Sequence, residues 1–337
     1  MFQVEFELDR IIKEAIELKA SDIHFDAAPA ALLIRLRIHG SLQIKEEIPR
    51  GRAEQLINRI KILSGMDIGE KRLPQDGRWS WTDKGDSPSY MLRVSSLPSV
   101  YGETIVCRIV GNENCYKNLR QLGMSEALYA LVSDTLKRPH GLLLVSGPTG
   151  SGKTSTLYAL LRLLHVVEEN VISLENPVEA DIPGAIQVQI NSKIGYTFPY
   201  ALRAVLRQDP DTIMVGEIRD VETAELAVQA ALTGHRVLAT IHTNDAVGVR
   251  ERLLDMGIPD YLVRATLLGA LAQRLVRIKT EEGHSRKAIY EFLKIPSKNV
   301  NWQALDQYVK PTLQESGEDL LRQGLTTKDE LQRVGLT

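Results

Sequence analysis

The chain has 337 residues, of which 43% are hydrophobic and 25% charged, and these values are ordinary for a soluble globular protein. This length predicts two domains, each long enough to bury a sizeable core. The formal net charge of −2 gives no global basic field that would attract nucleic acid, although it does not exclude a local basic patch.

The N-terminus and the cysteines exclude further classes of protein. Met1–Glu7 lacks the basic and apolar regions of a signal peptide, and no apolar run approaches the ~18 residues that a membrane-spanning helix needs. Cys107 and Cys115 form no CxxC pair, so the sequence predicts neither a zinc site nor redox chemistry. We therefore expect a cytoplasmic protein without zinc.

Residues 1–111 predict a small α+β domain. Helical spacing of apolar residues occurs over 4–18 and again over 52–63. Three runs have strand-like patterns: Leu32–His39, Tyr90–Ser95 and Thr104–Val110. The first of them alternates strictly between apolar and polar residues, which is typical of a half-buried strand. This order of elements is typical of an antiparallel sheet packed against helices.

A polar, turn-rich linker over residues 112–118 is expected to precede a second domain, residues 119–337. Helical patterns there alternate with apolar runs, which predicts a mostly parallel sheet covered by helices. The predicted strands are 141–146, 171–175, 186–190, 212–216 and 236–241. From about residue 245 to 337 the patterns are mainly helical, so we expect a helical C-terminal part.

The most specific motif is the run Gly147-Pro148-Thr149-Gly150-Ser151-Gly152-Lys153-Thr154, followed by Ser155. It lies between an apolar run and a helical pattern, which is the context of a phosphate-binding P-loop. Glycines allow consecutive backbone N–H groups to surround an anion, and the helix N-terminus adds partial positive charge. Lys153 is expected to reach the β- and γ-phosphates, and the Thr154 hydroxyl to bind Mg²⁺. The sequence therefore predicts a nucleoside triphosphate site.

Carboxylates follow two of the predicted strands. Glu217 ends an apolar run, where a Walker B acid would lie beside the P-loop. It is expected to polarise the attacking water or to hold Mg²⁺ through a water molecule. Glu175 and Glu179 follow strand 171–175, and the residues alone leave two interpretations open: a general base for water, or solvated loop acids.

Two histidines flank the predicted strand 236–241. His235 and His242 are separated by an odd number of residues, so they face opposite sides of that strand and cannot bind one metal from it. His242 lies at the end where phosphates are expected and is a candidate γ-phosphate sensor. His235 is equally compatible with a structural role.

Arginines are frequent in the first predicted domain, where they occur at Arg72, Arg78, Arg93 and Arg108. They form either a solvated face or a set of cations that approaches the phosphates.

Together these segments resemble the secretion ATPase superfamily of type II secretion, type IV pili and bacterial competence. After the P-loop, Ser173–Glu179 resembles its Asp box, Leu206–Asp220 its Walker B segment and Thr233–Ala246 its His box, in that order. Four segments of the first domain also match the family pattern: 20–24, 34–40, 73–78 and 92–95. The resemblance covers nearly the whole chain.

The resemblance implies a PAS-like N-terminal domain, a RecA-like ATPase domain and a ring of six subunits with ATP held between the domains. It implies that Lys153 and Thr154 bind phosphates and Mg²⁺. It also implies that Glu179 is the catalytic base, Glu217 the Walker B acid and His242 a neighbour of the phosphates.

Arg78 and Arg93 match arginines of the family that reach towards the γ-phosphate. The expected partner is a polytopic inner-membrane platform protein of a pilus or pseudopilus machine, and no direct binding of nucleic acid is expected.

The chain departs from the family pattern at three places. Asn176 stands where the family usually has Asp, which favours Glu179 over position 176 as the base, and His39 also stands where Asp is usual. Type II secretion and pilus-extension members carry a four-cysteine metal module, whereas here only a few polar residues separate Arg277 from Ala288. The competence motors of Gram-positive bacteria are the branch most similar in this respect.

The sequence therefore predicts a hexameric ATPase that drives assembly of a competence pseudopilus for DNA uptake, docked at the cytoplasmic face of the membrane. A motor for type II secretion or type IV pili is the alternative within the same class. A nucleic-acid translocase is disfavoured because the net charge is negative and the sequence shows no stripe of aromatic and basic residues. A regulatory ATP-binding scaffold is disfavoured by the complete set of Lys153, Glu179 and Glu217.

Overall fold

The structure is a computed structural model that describes residues 2–38, 41–82, 90–110, 117–164, 168–280 and 283–336. The chain divides into two compact units, Met1–Glu113 and Asn114–Thr337. Most of the predicted linker, together with His39 and Cys115, lies outside the described residues. The domain boundaries inferred from the sequence therefore stay a prediction.

The described part of the N-terminal unit contains two helices and six strands. They are α1 (Phe2–Glu17), β1 (Asp22–Ala27), β2 (Ala31–Ile38), β3 (Ser41–Pro49), α2 (Arg50–Leu63), β4 (Gln75–Trp81), β5 (Tyr90–Ser99) and β6 (Gly102–Val110). The strands form one sheet in the order β3-β2-β1-β6-β5-β4, and every neighbouring pair is antiparallel.

The core of this unit lies between the sheet and the two helices. Leu8, Ile11 and Ile12 of α1 are buried, as the helical spacing predicted, and they pack in one cluster with Leu56 and Ile60 of α2. In β2 the inward residues Leu32, Ile34 and Leu36 are buried while the intervening arginines are half-buried, which confirms the alternating pattern.

Three strands of this sheet, β1, β3 and β4, are absent from the sequence prediction. β3 and β4 are the two edge strands. An edge strand is packed against neighbours on one side only, so its sequence carries little apolar alternation. In β3 only Ile48 is fully buried, which explains why the pattern was missed.

The described part of the C-terminal unit contains eight α-helices and seven strands. They are α3 (Glu126–Leu136), β7 (Gly141–Ser146), α4 (Lys153–Leu161), β8 (Val171–Glu175), β9 (Ile186–Gln189), α5 (Phe198–Val205), β10 (Thr212–Val215), α6 (Val221–Leu232), β11 (Arg236–Ile241), α7 (Gly248–Asp255), α8 (Asp260–Thr266), β12 (Leu267–Thr280), β13 (Gly283–Lys294), α9 (Leu313–Arg322) and α10 (Lys328–Arg333).

The strands form a second sheet in the order β13-β12-β7-β11-β10-β8-β9, in which only the β12–β13 pair is antiparallel. Both faces of this sheet are covered: Leu142 and Leu144 of β7 pack in one core cluster, and Leu143 and Val145 in another. This is the mixed α/β fold with a parallel sheet that the sequence predicted. Because the strands are parallel, the carboxyl ends of β7, β8, β10 and β11 meet at one edge.

The expected helical C-terminal part is corrected by the structure. Leu267–Thr280 and Gly283–Lys294 form the long antiparallel pair β12–β13, and β12 pairs in parallel with β7 beside the P-loop. The first seven residues of β12 are all buried, and six of them, Leu267 to Ala272, form a continuous run without polar side chains instead of an alternating pattern. Such a run does not distinguish a buried strand from a buried helix, and this is why the prediction was wrong.

No helix in the described ranges is long and apolar enough to cross a membrane.

One buried ion pair ties α2 to the sheet of the N-terminal unit. The side chain of Lys61 is 0% exposed, and its ammonium donates to Glu103 Oε1 at 2.7 Å and to the carbonyl of Glu70 at 2.7 Å. Ser96 also donates to Glu103, at 2.9 Å. Removing one partner of such a pair leaves an uncompensated buried charge, which typically costs about 3–5 kcal/mol.

We therefore expect Glu103→Ala to lower the free energy of unfolding by about 3–5 kcal/mol, because Lys61 loses its counter-ion. Urea unfolding followed by tryptophan fluorescence measures this, since Trp79 and Trp81, two of the three tryptophans, lie in this unit. The matched control is Glu54→Ala, whose partner Lys71 lies on the exposed surface. Equal urea midpoints for the two variants would contradict the importance of the buried pair.

Candidate nucleotide site

The predicted P-loop follows the fully buried strand β7 and leads into α4, which begins at Lys153. Gly147 has a φ of 144°, and a Cβ atom there would lie 2.6 Å from the carbonyl oxygen of Gln273. Gly152 has a φ of 87° and precedes the first residue of α4. Only glycine tolerates both demands, so the loop can turn back tightly over the end of the sheet. This shape leaves the N-terminus of α4 available for an anion.

Lys153 lies over this loop, where its ammonium donates to the carbonyl oxygens of Gly147 at 2.9 Å and Pro148 at 3.0 Å. Burial lowers the pKa of Lys153, the nearby charge of Arg274 adds to this, and the Glu217 carboxylate opposes it. The ammonium is thus held beside the loop by weak neutral acceptors, which a phosphate can replace with a stronger charged partner.

A residue that the site prediction missed supports the loop from β12. Gln273 is 0% exposed, and its side-chain amide donates to the carbonyl oxygen of Ser151. The local sequence carries no signal for this role, because the contact of Gln273 with the loop depends on β12 pairing with β7.

Glu217 lies just beyond β10, at the same edge of the sheet as the P-loop. The loop that carries it is held from β11: Thr240 donates to the carbonyl oxygen of Gly216 at 2.6 Å. The side chain of Glu217 is 20% exposed and forms an ion pair of 2.6 Å with Arg219. The structure thus places the predicted Walker B acid within electrostatic range of Lys153.

Thr154 and Glu217 fit a magnesium ion by the chemistry of their oxygens, because Mg²⁺ prefers hard oxygen ligands. The described residues hold no group of three or more His, Cys, Asp or Glu side chains placed to bind a metal. A magnesium ion bound with a nucleotide needs fewer protein ligands, since phosphates and water supply the others.

His242 follows β11 directly and lies near the same groups. Burial lowers its pKa, and the positive charges of Lys153 and Arg219 lower it further. The Glu217 carboxylate and a hydrogen bond with the backbone of Gly147 act in the opposite direction. The imidazole is therefore neutral at pH 7, beside the P-loop, where a phosphate would be its neighbour.

His235 lies at the other end of β11. Its Nδ1 atom is 3.0 Å from the carbonyl oxygen of Ala230 and 3.2 Å from the Thr233 hydroxyl. These contacts close the C-terminal end of α6, so the described contacts favour the structural interpretation.

Glu175 and Glu179, which the sequence predicted to lie close together at the end of strand 171–175, have different environments. Glu175 is 2% exposed and accepts hydrogen bonds from Tyr158, from Ser173 at 2.5 Å and from Gln187 at 3.0 Å. A carboxylate held in this way is not available to activate water. Glu179 is half-buried in the segment that follows, so of the two it is the better candidate for a base.

Arg78, Arg93 and Arg108 form one row across the N-terminal sheet, continued by Asp22 and Arg37. Arg108 donates to Asp22 at 2.8 Å. Burial acts to raise the pKa of Asp22, but the hydrogen bonds from Arg108 and Ser21 outweigh it, so the pKa is lowered and the carboxylate stays charged.

The arginine row therefore carries four cations and one anion. The sequence pointed to a concentration of arginines, but the row itself depends on strand register. Arg72 lies outside this row, since it precedes β4, and it pairs with Glu70.

Comparison with known proteins agrees with this geometry. The family described as "Type II/IV secretion system protein" matches residues 2–333. Type II secretion system protein E of Pseudomonas aeruginosa is 50% identical over 271 residues, which cover 80% of this chain and 54% of that protein. Type II secretion system ATPase E of Vibrio cholerae is 39% identical over an alignment of 375 positions, which covers 97% of this chain and 74% of that protein. The chain thus spans about half the length of some of these curated relatives.

Two solved structures share the fold. The crystal structure of the pilus retraction motor PilT with bound ADP has a TM-score of 0.73 at 27% identity and covers 97% of this chain and 96% of that chain. The Legionella pneumophila ATPase DotB has a TM-score of 0.76 at 20% identity and covers 98% and 95%. Together with the family match over nearly all residues, these similarities confirm the resemblance in the sequence, and the chain belongs to the type II/IV secretion system protein family.

Proposed function

We propose that this chain is an ATP-hydrolysing enzyme that works as the motor of a type II secretion or type IV pilus machine. The observation that carries the proposal is the convergence of Lys153, Glu217 and His242 around the P-loop at one edge of the parallel sheet. The family match supports the same activity.

The proposed roles follow from what each group can do. Backbone N–H groups of Gly147–Ser155 and the ammonium of Lys153 bind the phosphates and spread the charge that develops in phosphoryl transfer. Thr154, and Glu217 through water, would hold Mg²⁺, which would neutralise charge at the phosphates. Glu179 accepts the proton of the attacking water, and His242 stays next to the γ-phosphate.

Arg78 and Arg93 are proposed to contact the γ-phosphate, from the same chain or from a neighbouring one. The planar guanidinium group of arginine offers several N–H donors in a fixed geometry that matches phosphate oxygens, which suits it to this task. The resemblance to ring-forming motors further supports a homohexamer. It would act at the cytoplasmic face of the membrane on a polytopic inner-membrane platform protein.

The comparisons favour secretion or pilus work over the competence function predicted first, because the reported relatives are type II secretion proteins. One observation keeps competence as a second candidate. The register of the β12–β13 hairpin continues to the pair Thr280 and Gly283, so the connection has no room for a four-cysteine module. Genetic complementation of a secretion-motor deletion and of a competence-motor deletion distinguishes the two.

Lys153→Ala is expected to weaken binding of ATP about 10- to 100-fold, because a charged hydrogen bond to the phosphates is lost. Titration with a fluorescent ATP analogue measures the dissociation constant. Lys137→Ala, an exposed lysine at the end of α3, is the matched control and should bind as the wild type does. An unchanged dissociation constant for Lys153→Ala would refute the assigned phosphate contact.

Glu217→Gln is expected to bind ATP but to lower kcat about 10²- to 10⁴-fold, because the acid that orients water and Mg²⁺ loses its charge. Phosphate release measures kcat, and Glu126→Gln, which removes an exposed carboxylate paired with Arg120, is the control. Turnover at the wild-type rate in Glu217→Gln would rule out its role.

Light-scattering mass with and without ATP and Mg²⁺ tests the assembly. We expect a hexamer that depends on nucleotide, both for the wild type and for Glu217→Gln. A monomer that binds ATP without turnover would favour a regulatory scaffold, and DNA binding that weakens with salt would favour a translocase.

A further inference from the structure

A single hydroxyl group connects the P-loop helix to the segment that carries Glu179. Tyr158 lies on α4 and is 0% exposed. Its hydroxyl accepts the backbone N–H of Glu179 at 2.9 Å and that of Ala180 at 3.3 Å, and it donates to the buried carboxylate of Glu175. With one donated and two accepted bonds, the hydroxyl uses its full hydrogen-bonding capacity.

The rest of this segment is also held by side chains and not by regular secondary structure. The N–H of Val178 donates to Gln189 at 3.0 Å, and the N–H of Ile182 donates to Gln187 at 2.8 Å. Gln187 in turn donates to the carbonyl oxygen of Ala180 at 2.9 Å. The position of the Glu179 backbone is therefore set by these anchors.

The anchors differ in where they come from. Gln187 and Gln189 lie on β9, the strand at the edge of the sheet. Tyr158 lies on the helix that begins with Lys153 and Thr154. The hydrogen bonds of Tyr158 thus relate the Glu179 segment to the helix that follows the phosphate-binding loop.

We propose that Tyr158 is a positioning residue for Glu179: its hydroxyl holds the Glu179 segment at a fixed place relative to the P-loop, and so controls turnover more than nucleotide binding. The proposal deepens the proposed function and rests on it, because it takes Glu179 as the base. A base displaced by about 1 Å loses on the order of 100-fold in rate, whereas the P-loop N–H groups that bind phosphate do not depend on this hydroxyl.

Tyr158→Phe keeps the ring and removes only the hydroxyl. We expect kcat for ATP hydrolysis to fall about 10- to 100-fold, while the dissociation constant for a fluorescent ATP analogue stays within about twofold of the wild type. A loss of binding equal to the loss of kcat would indicate general damage to the fold and would overturn the proposal, as would a wild-type kcat.

Tyr290→Phe is the matched control. Tyr290 is also a buried tyrosine, and its hydroxyl lies 3.2 Å from Thr156 Oγ1 of α4. None of its described hydrogen bonds reaches the Glu179 segment. It should keep kcat within about twofold of the wild type. Equal losses in the two tyrosine variants would show that any buried hydroxyl on this helix matters, which contradicts a specific role.

A double-mutant cycle separates positioning of Glu179 from other effects. If Tyr158 acts through Glu179, then Tyr158→Phe should lower the residual rate of Glu179→Gln no further. Losses that multiply in the double variant would overturn the proposal.

Hydrogen exchange gives a readout that does not depend on activity. We expect the amides of Glu179 and Ala180 to exchange about tenfold or more faster in Tyr158→Phe than in the wild type, because their acceptor is gone. Unchanged exchange would overturn the positioning role. A wild-type chain that binds but never hydrolyses ATP would instead contradict the proposed function, so the two failures are distinguishable.

Gln187→Met provides a second variant should Tyr158→Phe not fold. It removes the anchors at Ala180 and Ile182 and also the bond that Gln187 donates to Glu175, the acceptor of the Tyr158 hydroxyl. It should therefore also lower kcat more than nucleotide affinity. Turnover at the wild-type rate would show that side-chain anchoring of this segment does not set the rate, and would overturn the proposal.

Discussion

The C-terminal unit depends on one constraint: a fully buried strand must end in a loop that turns back tightly and leaves the N-terminus of the next helix open to an anion. β7 meets the first demand because it lies between β11 and β12 and is covered on both faces. The second demand is met by glycines that let the loop fold closely over β12, where Gln273 holds it. Unpaired backbone donors are costly in a protein interior, so a site of this kind is stable only at the surface end of a sheet.

The charged groups around the loop follow from the same arrangement. Parallel strands bring Glu217 and His242 to the edge where the P-loop lies. There the Glu217 carboxylate acts on Lys153, and the charge of Lys153 in turn lowers the pKa of His242. The Lys153 ammonium donates to neutral carbonyl oxygens, and burial lowers the pKa of His242. The Lys153 ammonium is therefore placed where a triphosphate can contact it, which agrees with membership of a family of secretion ATPases.

The two acids of the Asp-box-like segment differ in role: one has a structural role, and the other is the candidate for a catalytic role. Glu175 is buried and accepts hydrogen bonds from three side chains, so it lies at the centre of a hydrogen-bonded network. Glu179 lies at the end of that network and is half-buried, where water can reach it. Buried networks of this kind are rigid when every member is paired, and rigidity is what a catalytic base needs.

The sequence by itself determined the P-loop, five of the strands of the parallel sheet and the candidates Lys153, Glu217 and His242, because each depends on local pattern and spacing. It did not distinguish β12 from a helix, since a strand buried on both faces has no alternation. The tertiary structure decided the arginine row, Gln273 under the loop and Tyr158 beside Glu179. Those contacts depend on strand register and on residues far apart in the chain, about which local spacing carries no information.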